Sequence, residues 1–219
     1  MKSIGLLHTV PSVLATFEGK LRDAMPDEEL LIHNTLDTYL SSDANIRGFT
    51  KENQTRLFLL LKAIELECVD VIVVACSTLT PSVDLIRPFL SIPLVAIDDV
   101  MTAKAVQQGE RITVLATAYS TIKPTTTKLN NEAAKIGRVL QLDDIVCAEA
   151  FTAILKLDQE THDRLLKRTA ESIKDRDVIV LAQASMAHLE QEIQQITGIP
   201  TLSSPELCIT QVKEILGVS

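Results

Sequence analysis

The sequence predicts an α/β protein of two similar, doubly wound parallel-sheet lobes, related by a pseudo-twofold duplication with a cleft between them. Three observations carry that prediction. The phrase DVIVVACST at 70–78 returns as DVIVLAQAS at 177–185, 107 positions later. The same spacing joins Pro93 of SIPLVAI (91–97) to Pro200 of GIPTLSS (198–204), as an internal duplication requires. Finally, 46% of the residues are apolar but only 3% are aromatic and none is Trp. The core is therefore aliphatic, which suits short strands buried on both faces.

Taken in chain order, SIGLLH opens the first lobe as a buried strand near 3–8, and further apolar runs predict strands near 30–35, 70–75 and 93–97. Between them the apolar period lengthens to that of a helix. Over Arg56–Glu67, residues Leu57, Leu60, Leu61 and Ile64 mark one face. Right-handed crossovers then wind each lobe. In the second lobe RITVLATAYS (111–120) lies under SIGLLHTVPS (3–12) after a one-residue slip, with Thr9 over Thr117 and Ser12 over Ser120. At the 107 spacing KENQTRLFLLLKAIELECVD (51–70) lies over DQETHDRLLKRTAESIKDRD (158–177), matching Leu59 to Leu166 and Ala63 to Ala170. A last helix, PELCITQVKEILG (205–217), starts with Pro205 in its first turn and stops at Gly217. The expected lobes are 1–97 with 205–219, and 98–204.

A net charge of -8 and the lack of any polybasic run argue against a nucleic-acid partner. No apolar stretch approaches the ~20 residues of a membrane span, so no membrane partner is expected. His8 and Pro11 interrupt the N-terminal apolar run, which reads as a strand and not a signal peptide. Four scattered cysteines (Cys68, Cys76, Cys147, Cys208) form neither a CxxC pair nor a Cys/His cluster. Reduced thiols, no metal and a cytoplasmic location are the expectation. There is no GxGxxG or Walker pattern, so nucleotide binding is unsupported.

In open parallel sheets, ligands bind beyond the carboxyl ends of the strands. Four segments arrive there: HTVPS (8–12), ACSTLTP (75–81), ATAYSTIKP (116–124) and AQASMAH (182–188). All carry short hydroxyl or amide side chains. Helix N-termini beside such loops favour a carboxylate or phosphate. The one residue of strong nucleophilic chemistry among them is Cys76, and the duplication sets Gln183 in its place in the second copy. A glutamine amide neither ionises nor donates a proton as an acid in the working range.

These motifs resemble the aspartate/glutamate/hydantoin racemase superfamily, over the whole chain. ACST (75–78) is similar to the family's A-C-N-T around its first catalytic cysteine, and ATAYSTIKP to its carboxylate-binding T-x-x-x-T-V/I segment. LAQASMA (181–187) is similar to the hydantoin-racemase form L-G-C-A-G-M-A, with Gln183 where the second cysteine belongs. The resemblance implies Cys76 as catalytic acid/base. It implies substrate contacts from His8, Thr9, Ser77, Thr78, Thr117, Thr121, Gln183, Ala184 and Ser185. It also implies a small carboxylate substrate, no cofactor and, by analogy, a homodimer.

The missing thiol disfavours two-base racemisation. A cofactor-independent isomerase or lyase is expected, acting with a single cysteine at the alpha carbon of a small carboxylic acid or amino-acid derivative. Ser185 or His188 could stand in for the second base. The alternative is an inactive small-carboxylate-binding protein of the same fold. Cys68, Cys147 and Cys208 read as small core hydrophobes, and hydroxyls in such loops also serve as helix caps.

Overall fold

The computed structural model describes residues 1–218, apart from the side chains of Ser12 and Ala15; Ser219 lies outside the described residues. Two compact units divide the chain: Met1–Asp99 with the segment from Pro205 onward, and Val100–Ser204.

The first unit holds β1 (Lys2–His8), β2 (Leu30–Leu36), β3 (Val71–Val74) and β4 (Leu94–Ala96) in the order β2-β1-β3-β4, all parallel. Its helices are α1 (Pro11–Ala24), α2 (Thr38–Arg47), α3 (Lys51–Glu65), α4 (Thr80–Ile86) and, from the chain's end, α10 (Ser204–Leu216). The second unit repeats the sheet as β6-β5-β7-β8, from β5 (Arg111–Ala116), β6 (Gln141–Val146), β7 (Val178–Leu181) and β8 (Thr201–Leu202). Its helices are α5 (Asp99–Gln108), α6 (Tyr119–Lys135), α7 (Ala148–Leu155), α8 (Gln159–Ala170) and α9 (Glu190–Thr197).

Inner strands explain the aliphatic composition. Every residue of β3 and of β7 is buried, as helices on both faces of a parallel sheet require. The edge strands β2 and β6 mix half-buried and exposed positions instead. Side-chain caps start the helices that pack on these sheets. Asp37 accepts from Leu40 N–H at α2, Thr50 from Asn53 N–H at α3 and Asp158 from Thr161 N–H at α8.

The aspartate that opens the repeated phrase is a strand clamp. Asp70 Oδ2 accepts the Ser3 N–H at 2.7 Å and its hydroxyl at 2.9 Å. Asp177 Oδ2 accepts the N–H groups of Glu110 and Arg111 at 3.0 and 2.9 Å, while its Oδ1 takes the Arg111 guanidinium at 2.6 Å. Those bonds hold the Asp177 carboxyl down at about 2.

Strand register supports the duplication with its one-residue slip. Ile4 lies opposite Val71 and Ile112 opposite Val178, so β1 and β5 correspond at 108 and β3 and β7 at 107. The helices depart from the expected alignment. Leu59 and Ala63 are exposed, whereas Leu166 and Ala170 are buried. The buried faces pair Asn53 with His162, Leu57 with Leu166, Leu61 with Ala170 and Ile64 with Ile173, a spacing of 109. A shorter connection restores the phase, with residues 65–70 in the first copy answered by 174–177 in the second. Packing against the sheet, not residue identity, sets a helix's register.

Candidate active site

Cys76 follows β3 in extended conformation (φ -147°, ψ 105°) and heads a 3-10 turn, Ser77–Leu79, that runs into α4. The turn closes when Leu79 N–H donates to the Cys76 carbonyl at 3.0 Å. Ala75 N–H meanwhile ties the strand end to Leu7 of β1. These constraints aim the thiol at the carboxyl edge of the sheet, where it keeps partial solvent exposure. Thr9, just past the end of β1, donates its hydroxyl to Cys76 Sγ at 3.0 Å. The Thr78 N–H and hydroxyl and the Leu79 N–H also face the sulfur. Burial nonetheless pushes the thiol up, and it outweighs these donors, so Cys76 rests as S–H.

Gln183 occupies the same place in the second unit. It follows β7 in extended conformation (φ -134°, ψ 135°) and heads a 3-10 turn, Ala184–Leu189. Met186 N–H donates to the Gln183 carbonyl at 3.0 Å, matching the Leu79–Cys76 bond. Thr117, the counterpart of Thr9, gives Gln183 Oε1 both its N–H at 2.6 Å and its hydroxyl at 3.0 Å. A donor pair from the β5 end thus holds an amide oxygen where, in the first unit, a hydroxyl holds a sulfur.

Thr9, Thr78 and Cys76 are therefore brought together in one unit, and Thr117 and Gln183 in the other. Ser77 is half-buried beside Cys76; Ala184 is half-buried and Ser185 exposed beside Gln183. His8 is fully buried: its Nε2–H donates to Asn34 Oδ1 at 3.2 Å, and its ring meets Phe17 edge-on. Burial pushes its imidazole down, so it is neutral. Asn34 passes the chain on to Glu18 Oε2 at 2.6 Å. The side chain of Ser12 lies outside the described residues.

The segment 116–124 is a shorter loop than the sequence suggests, because α6 begins at Tyr119. Thr121 donates its hydroxyl to the Ala118 carbonyl at 2.9 Å, closing that first turn and committing its only proton. His188 is held by Asp163, with Nε2 2.9 Å from Oδ1. Sequence reasoning did not identify the Leu79 N–H as a donor to the sulfur. The signal for it was the helix start just after ACST, since first-turn N–H groups lack intrahelical partners.

A thiol cupped by hydrogen-bond donors thus stands at the carboxyl edge of a parallel α/β sheet. The sequence model of the Asp/Glu/Hydantoin racemase family matches residues 9–212, and the chain belongs to that family. An uncharacterized protein of Schizosaccharomyces pombe is 30% identical over 139 residues, a match spanning 61% of this chain and 57% of that protein. The match thus covers little more than half of that relative. Among solved structures, the glutamate racemase of Bacillus anthracis superposes with a TM-score of 0.71 at 19% identity, covering 99% of this chain and 82% of its own. An aspartate racemase homologue from Pyrococcus horikoshii gives 0.70 at 16%, covering 99% and 100%. The allantoin racemase of Klebsiella pneumoniae gives 0.62 at 16%, covering 100% and 90%. These likenesses establish the fold, and family membership supports an isomerase-type, racemase-like function. Among the described residues, no helix is long and apolar enough to cross a membrane.

Proposed function

We propose that this protein is a one-thiol member of the family, acting at the carbon beside a carboxylate in a small acid or amino-acid derivative. Cys76 is the group that moves the proton. The observation that carries this reading is the surround of its sulfur. Thr9 O–H and the N–H groups of Thr78 and Leu79 all point donors at it. When the thiol gives its proton to a substrate carbanion, negative charge develops on sulfur, where those donors already stand. The reverse step, removal of an alpha proton by the thiolate, uses the same donors. Within the first unit, Ser77 is the hydroxyl beside the sulfur for a carboxylate oxygen; within the second, Gln183 Oε1 marks a position that the Thr117 N–H and hydroxyl can fill with a substrate oxygen.

With Gln183 at the equivalent position, one acid/base group remains of the two that inversion requires. Proton exchange with retained configuration follows from that. The resting S–H form favours a second reading, a lyase in which loss of CO2 leaves the electron pair on carbon and Cys76 then protonates it. The third reading, a carboxylate-binding protein without turnover, makes Cys76 dispensable.

Incubating small amino acids, dicarboxylic acids, aryl-substituted malonates and hydantoins in deuterated water separates these readings by NMR. Alpha-deuteration that disappears in Cys76→Ser supports the one-thiol isomerase. CO2 release with deuterium entering the product supports the lyase. Neither signal, together with unaltered ligand binding in Cys76→Ser, leaves the binding protein.

A further inference from the structure

In the second unit, two imidazoles, a carboxylate and an amide converge on one point. His162 and Asp163 lie in the first turns of α8 with Gln159, and His188 lies in the 3-10 turn that Gln183 heads. Asp163 Oδ1 is 2.7 Å from His162 Nδ1, 2.9 Å from His188 Nε2 and 2.6 Å from Gln159 Nε2. Gln159 Nε2 is also 3.3 Å from His162 Nδ1 and 3.2 Å from His188 Nε2. The two rings stack at 25° with centroids 6.3 Å apart.

These contacts cannot all be hydrogen bonds. Each imidazole nitrogen carries a proton or a lone pair, never both. A nitrogen that donates to Asp163 cannot accept from Gln159, so two of the five contacts fail in every tautomer. His162 has no other outlet: it is fully buried, and its Nε2 finds no hydrogen-bond partner among the described residues. The first unit shows the conventional alternative. There the corresponding core position is Asn53, whose amide donates to Leu40 O and Asp43 Oδ2, both at 3.1 Å. Both amide hydrogens of Asn53 are thus bonded without conflict, although its Oδ1, like His162 Nε2, finds no partner among the described residues.

A divalent cation removes the conflict. Turning the Gln159 amide, whose two ends have the same shape, presents Oε1 in place of Nε2. Four lone-pair atoms (two imidazole N, one carboxylate O, one amide O) then face a common centre. Tetrahedral zinc with ligand bonds of about 2.0–2.1 Å sets its donor atoms about 3.3 Å apart. The five separations above, 2.6–3.3 Å, need only a slight expansion to reach that spacing.

We propose that His162 Nδ1, Asp163 Oδ1 and His188 Nε2, completed by the Gln159 amide or a water, form a site for a zinc-like divalent transition-metal ion. Nitrogen-rich donors select such an ion over calcium or magnesium. The ion would pin the 3-10 turn that begins after Gln183 to α8, so it acts on the order of that loop.

Titrating the purified, metal-stripped protein with Co2+ alone tests the site. One Co2+ per chain is expected, with the visible bands of a tetrahedral centre and no thiolate-to-cobalt charge transfer; Zn2+ displaces it and raises Tm. His188→Ala, at a half-exposed position, weakens Co2+ binding by ~10-fold or more while the circular dichroism stays unchanged. Asp163→Asn does the same. Absence of binding, binding equal in wild type and His188→Ala, or a charge-transfer band that puts the metal on a cysteine would each overturn the assignment.

Discussion

The loop after β3 and the loop after β7 share a backbone course and differ in the chemistry of the residue that heads them, Cys76 in one and Gln183 in the other. Both leave a fully buried strand in extended conformation, and both close a 3-10 turn with an N–H donated back to the heading residue. Both also draw that residue's side chain to a threonine just past the neighbouring strand. In the first the threonine meets a sulfur that can give up a proton; in the second it meets an amide that cannot. Duplication therefore preserved the loop's geometry in each unit while the residue at its head diverged. What a loop positions and what it can do are separable properties.

Breaking that comparison at its reactive end produces the largest effect. Cys76→Ser is expected to lower turnover by ~100-fold or more, the usual scale for removing a general acid/base. Loss of activity with an unchanged circular dichroism spectrum checks it.

The next effect concerns stability. The shared position in β1 and β5 is Gly5 in one unit and Thr113 in the other. A Cβ on Gly5 would stand 2.3 Å from Ile64 Cγ2. Gly5→Ala should therefore destabilise by about 1–3 kcal/mol in urea unfolding. Thr113 already fills its slot, and its buried hydroxyl has no hydrogen-bond partner among the described residues. Thr113→Val should be neutral or stabilising. Equal losses at both positions would break the equivalence.

A smaller effect separates the two threonines. Burial already raises the Cys76 thiol, and Thr9 lowers it through its hydrogen bond. Thr9→Val removes that support, so the pH profile of Cys76 alkylation should move to higher pH, with a several-fold lower rate near pH 8. Thr117→Val should leave the profile where it was.

Smallest is the acid limb of stability. Asp177 titrates at about 2 in the folded protein against 3.8 in its ordinary state, a folded value below the unfolded one. Its contribution is present above pH 3.8 and is lost as pH falls toward 2. Asp177→Asn should flatten that part of the stability curve. Asp70→Asn should do so less, because its clamp has no arginine.

Much of this was legible in the sequence, for identifiable reasons. The strands and both loop heads could be read because a buried strand tolerates few residue types, so DVIVV and DVIVL stayed alike. The helix register could not. The Leu59–Leu166 match is a coincidence of a leucine-rich stretch, and the true phase depends on which side faces the sheet. Thr121 matched a carboxylate-binding motif, yet its hydroxyl closes the first turn of α6, a competition between capping and binding that spacing alone does not resolve. The His162–Asp163–His188 cluster has no counterpart in the first copy, so the repeat that guided the rest was silent there.

The most direct test of the central claim is the stereochemistry of alpha-proton exchange in wild type and in Gln183→Cys, followed by NMR and chiral chromatography. A single-thiol site predicts deuterium incorporation with retained configuration in the wild type, and the appearance of the opposite enantiomer once position 183 carries a thiol. Full racemisation by the wild-type protein, persisting when Gln183 is changed to Ala, would contradict it.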